Sequence, residues 1–62
     1  MSREEFEAIE TVNNFLMDMA IETSKKMTLK EVSYEEAVFW LNSWKGYRKI
    51  YTKAMNEYYN ME

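Results

Sequence analysis

The sequence predicts an all-α protein, an antiparallel two-helix hairpin. Three observations carry this. The 62 residues include one glycine and no proline, which removes most turn chemistry. Apolar residues recur at spacings of three and four over two long stretches, the period of a helix with one buried face. Two Ser-x-x-Glu boxes, Ser2 to Glu5 and Ser33 to Glu36, stand where two such helices would start.

The first helix is predicted from about residue 3 to about residue 26. Ser2 is its N-cap, with Glu5 reaching back to the cap amide, and Glu4 and Glu5 suit the positive end of the helix dipole. Phe6, Ile9, Val12, Leu16, Met19, Ala20, Thr23 and Met27 form the inward stripe, with Glu7, Thr11, Asn14, Asp18, Glu22 and Lys25 opposite. Lys25 and Lys26 occupy the last turn, where cations favour the dipole.

Residues 27–33 read as a tight connection. A further capping box at Thr28 to Glu31 leaves room there for one short helical turn. The second helix is predicted from about 34 to 59. Ala37, Leu41, Trp44, Arg48, Tyr51, Met55 and Tyr58 alternate at four and three, and Trp40, Tyr47 and Ala54 widen the stripe. Its phase is unchanged across Gly46, so the glycine is read as a kink or close-contact point within one helix. Arg48 falls at an inward position, as does Asn13 in the first helix. One polar residue per stripe can fix register or oligomer state, and an arginine there can instead anchor a partner.

A chain this short buries only about 60% of its unfolded surface, so it needs added stabilisation. With no cysteine and no histidine, disulfides and the usual zinc sites are excluded. Oligomerisation or partner binding remains, and the hairpin is predicted to pair into a dimeric four-helix bundle. The apolar arcs are broader than one helix–helix contact requires. Phe6, Met17 and Ile21 lie at one edge of the first helix, and Phe39 and Ile50 at one edge of the second. With Tyr47 and Arg48, Met17, Ile21, Phe39 and Ile50 form the predicted partner-binding set.

Charge is segregated. Residues 1–24 carry Arg3 against Glu4, Glu5, Glu7, Glu10, Asp18 and Glu22, a net −5, whereas residues 37–56 carry Lys45, Arg48, Lys49 and Lys53 and no acid, a net +4. Lys45, Lys49 and Lys53 make a stripe beside Trp44, Tyr47 and Tyr51, a combination that can hold phosphates and stack bases. The overall charge of −3 opposes that use, so nucleic acid ranks second to protein as a partner.

Catalytic constellations are missing from the sequence. Without His or Cys the commonest general base and thiolate are unavailable, no serine is followed by lysine three residues later, and no glycine-rich loop can cradle phosphate. The paired carboxylates read as caps and solvated faces, and no cofactor or metal is expected. The mark of the short aspartyl phosphatases of sporulation phosphorelays, Ser-x-x-x-Asp, is absent: Thr28, Ala37 and Tyr47 follow Ser24, Ser33 and Ser43 at that spacing. The predicted outline is similar, in general shape alone, to the short hairpin inhibitors of sensor kinases. The longest apolar run, Ala37 to Leu41, is too short to cross a membrane, and the N-terminus lacks the pattern of a secretory signal. The expectation is therefore a small cytoplasmic regulator or inhibitor, not an enzyme, of the kind that phages, mobile elements and bacterial regulatory circuits encode.

Overall fold

The computed structural model describes residues 1–60, which form two helices packed against each other, α1 (Arg3–Thr28) and α2 (Tyr34–Tyr59). Both start as the sequence dictates. Ser2 Oγ accepts the Glu5 amide at 3.1 Å and donates to the Glu5 carboxylate at 3.3 Å, so Glu5 reaches back to the cap hydroxyl and not to the cap amide. Ser33 Oγ accepts the Glu36 amide at 3.1 Å. Each cap satisfies a backbone donor that the first helical turn leaves open.

The connection departs from expectation. No helical turn forms between the helices, and Thr28 is not an N-cap. It is the last residue of α1, with its hydroxyl donating to the Ser24 carbonyl at 3.1 Å. The chain closes there by a Schellman motif. Glu31 N–H donates to Lys26 O at 2.8 Å and Lys30 N–H to Met27 O at 2.9 Å, with Lys30 at φ 61°. Three consecutive good helix formers, Lys25 to Met27, carry α1 past the predicted end, and the motif then satisfies its last carbonyls.

Packing between the helices is thin. The buried apolar residues are Phe6, Ala20, Ala37 and Ala54, and three of these four are alanines. Among the described residues no side chain is fully enclosed. Phe6, which opens the inward stripe and was also read at its edge, is buried at the centre of the open end. Its ring stacks on Tyr58 at 4.5 Å between centroids, and Tyr51 and Tyr59 close around it. Buried Thr23 satisfies its hydroxyl on the Met19 carbonyl at 2.7 Å.

The hairpin measures 48 × 16 × 11 Å, with a radius of gyration of 14.1 Å. A compact chain of this length would have about 11 Å. Its accessible surface is 4852 Å², against about 4,300 Å² for a typical monomer of this mass. Two rods in contact along one line cannot enclose a core, so apolar surface remains outside.

Candidate functional site

The exposed apolar side chains are large and sit on both helices. Phe15 is 55% exposed, Phe39 60% and Ile50 52%, and Val12, Ile21, Leu29, Tyr34 and Tyr59 are also exposed. They do not form one patch. Phe15 meets Trp40 edge-on at 6.1 Å, and Trp40 meets Phe39 edge-on at 5.1 Å, so an aromatic cluster bridges the helices on one side. Helical spacing continues this side through Val12 and Met19 on α1, and through Ser43, half-buried Tyr47 and Ile50 on α2. Ser43 spends its hydroxyl on the Phe39 carbonyl at 2.8 Å and so presents little polarity outward.

The other side of the hairpin is a shallow groove lined by Asn13, Met17, Trp44, Arg48, Tyr51, Thr52 and Met55. Arg48 does not point inward as its place in the repeat suggested. It is exposed, its guanidinium lies 5.6 Å from the Trp44 ring centroid, and no carboxylate is bonded to it. Its position lies at the flank of the stripe, and a long cationic side chain gains more from stacking on indole in water than from losing its hydration. Trp44 is half-buried beneath it, not enclosed.

Two buried polar atoms in this groove, Asn13 Oδ1 and Trp44 Nε1, have no hydrogen-bond partner. Asn13 is only 6% exposed. At the groove's end Tyr51 is satisfied: its hydroxyl donates to Glu10 Oε2 at 3.0 Å. That bond, with burial and the Glu10 charge adding to it, raises the Tyr51 phenol above its ordinary value.

The predicted partner-binding residues therefore divide. Phe39, Tyr47 and Ile50 lie on the aromatic side, while Met17 and Arg48 lie in the groove, with Ile21 one turn beyond Met17. Phe15, outside the predicted partner-binding set, completes the aromatic cluster. The signal was there in the spacing of Val12, Phe15 and Met19, a second row beside the inner one. No protein-family model matches the chain, and no curated protein or solved structure is detectably similar to it.

The basic stripe is a third region. Lys45, Arg48, Lys49 and Lys53 line a trough of about 770 Å³ on the back of α2, with Gly46, Thr52 and Asn56. All of its walls come from one helix. Of the aromatics beside it, Trp44 carries the Arg48 guanidinium over its ring and Tyr51 gives its hydroxyl to Glu10. Among the described residues, no group of three or more acidic side chains is placed to hold a metal ion, and no helix is long and apolar enough to cross a membrane.

Proposed function

We propose that this chain is a small protein-binding regulator or inhibitor that acts through its apolar helical surface, and that the hairpin assembles as a dimeric four-helix bundle. One observation carries the reading. The chain leaves Phe15, Phe39 and Ile50 more than half exposed while its own core consists of one phenylalanine and three alanines. Large aromatic and aliphatic side chains gathered on one side, on a chain without other staples, favour a surface that another protein covers. The same residues favour binding as the reading, since they are large apolar side chains of the kind that another protein covers.

Two measurements test this. Sedimentation of the purified chain at micromolar concentration is expected to give a species heavier than 7.6 kDa. Affinity capture from the native host, identified by mass spectrometry with and without nuclease, is expected to retain a protein after nuclease treatment. A stable monomer that captures no protein would end the reading.

A second reading, nucleic-acid binding through α2, is favoured by the four cations of the trough. Changing Lys45, Lys49 and Lys53 to glutamine would then flatten the salt dependence of binding by about 3 units of slope. We expect no measurable binding of single- or double-stranded DNA or RNA near physiological salt. The acidic α1 lies about one helix diameter, ~10 Å, away and repels the same phosphates.

A further inference from the structure

The two walls of the groove differ in charge. α1 contributes the uncharged Asn13 and Met17, and the Glu10 carboxylate beyond them is occupied by the Tyr51 hydroxyl at 3.0 Å. α2 contributes Trp44, Arg48 and Met55, within a stretch, residues 37–56, that carries four cations and no acid. The groove is an apolar trench with a positive rim along one edge.

That rim holds donors without acceptors. Arg48 is exposed, its guanidinium lies 5.6 Å from the Trp44 ring centroid, and no carboxylate is bonded to it. A cation–π contact uses the charge of the guanidinium and leaves its N–H groups free to donate. Stacking has also removed part of the rotamer freedom that a loose surface arginine would lose on binding. The Trp44 N–H is a second donor without an acceptor. Asn13 Oδ1 has no donor, but a half-turn of its amide exchanges that oxygen for two N–H groups. A carboxylate accepts from each of these groups and takes a guanidinium in two parallel bonds.

Met17 and Met55 supply the apolar half. Unbranched thioethers adapt to side chains of different shape. The groove holds about 430 Å³, at the small end of the ~300–1,000 Å³ of clefts that take ligands. That is room for a few side chains of one segment. Along α2 the order is Trp44, Arg48 four residues on, and Met55 seven beyond it. A helix laid along the groove thus meets apolar surface, then a cation, then apolar surface. Its complement is an apolar residue, an acid about one turn away and a second apolar residue about two turns further.

We propose that this groove binds an acidic amphipathic helical segment of another protein, its carboxylate on Arg48 and its apolar side chains against Met17 and Met55, a reading that rests on the protein-binding function above. A second copy suits the groove less well. Groove and aromatic cluster lie on opposite sides, so a copy that filled the groove with Phe15 would leave its own groove open to a third, and the contact would not close. Two copies laid groove to groove would bring their Arg48 residues together with no acid among the lining residues to separate them. Phosphates need a run of cations, and that run, Lys45, Lys49 and Lys53, follows the back of α2.

Peptides selected by display from a random library against the full chain are the probe. The enriched pool is expected to carry Asp or Glu between apolar residues at the stated spacing. By fluorescence anisotropy, Arg48→Gln should weaken a selected peptide about tenfold. Arg48→Glu should reject it and accept the same peptide with arginine at the acid position. Lys25→Gln, which removes a cation elsewhere, should change nothing. Arg48 is exposed, so its variants should melt as wild type does. On adding peptide, the Trp44 indole N–H resonance should move and that of Trp40, on the other side, should stay. No enriched peptide, a pool without acids, undiminished binding to Arg48→Gln, or movement of Trp40 in place of Trp44 overturns the groove and leaves the protein-binding reading standing. So does peptide displaced by single-stranded DNA at physiological salt, or a sedimenting mass that falls as peptide is added, which would give the groove to phosphates or to a second copy. A monomeric chain that captures no protein from its host overturns both.

Discussion

At the open end of the hairpin, Phe6 lies on Tyr58 with ring planes 4° apart, Tyr51 and Tyr59 enclose it, and the Tyr51 hydroxyl is satisfied by Glu10. At mid-length the same two helices meet through Asn13, Met17 and Trp44, and two buried polar atoms there lack partners. On the opposite side Phe15 and Phe39 are more than half exposed. The open end is finished within one chain and the middle is not. Folding of the isolated hairpin thus depends on its aromatic clamp, while the middle is where a second chain can add stability and choose register.

The comparison breaks most simply at its two phenylalanines. Phe6→Ala should cost about 3–5 kcal/mol, much of what a chain this small possesses. Phe15→Ala should cost the dilute, monomeric chain less than about 1 kcal/mol, because half of the ring is already wet. On the proposed dimer, the effect of Phe15→Ala should grow with protein concentration. Urea melts at two concentrations separate these outcomes. Equal losses in the dilute chain would mean that the two regions are not different in kind.

Asn13→Leu should act in the opposite direction. It removes a buried acceptor with no partner, a group that costs about 1–3 kcal/mol, and leaves an apolar residue of similar size on the inner stripe. Melting should rise. If it falls, Asn13 is paired with the Trp44 indole through water or through a small shift. The same variant sharpens the register question: polar residues at such positions commonly trade stability for a single alignment, so a more stable but less uniquely paired Asn13→Leu chain is the expected result. A smaller gain, about 1 kcal/mol, is expected from Lys30→Gly. That residue holds the left-handed position of the Schellman motif at φ 61°, where a Cβ is strained. An unchanged melting temperature would place the strain elsewhere.

Much of this architecture was legible in the residues. Ser2 and Ser33 announce helix starts because capping depends on chemistry within four residues. Two helices with short connection leave one way to fold back. The connection itself was misread, because Thr28 to Glu31 has the letters of a capping box, and only the backbone decides between a helix start and a helix stop. Arg48 and Val12 were misplaced for another reason. A stripe read at a fixed period assigns its flank residues to the core, while two rods touch along a line too narrow to hold them. Phe15 was missed because a row that no partner in the chain covers looks like solvated surface until the inner row is located.

The last test concerns the clamp and pH. The neutral Tyr51 phenol donates to the Glu10 carboxylate, so losing that proton would place a phenolate against a carboxylate. Its value is raised in the folded chain, chiefly by that bond. A raised value means that the folded state holds the proton more tightly than the unfolded one. The contribution is therefore fully present below the ordinary tyrosine value of about 10 and is lost as pH climbs through the higher folded value. The chain contains five tyrosines, so alkaline unfolding alone would not isolate this one. Tyr51→Phe does. The stability difference between wild type and Tyr51→Phe should stay constant from neutral pH to about 10 and shrink above it. Parallel curves over the whole range would mean that the proton on Tyr51 does not help to close the clamp, leaving the rings of Phe6 and Tyr58 to hold the end alone.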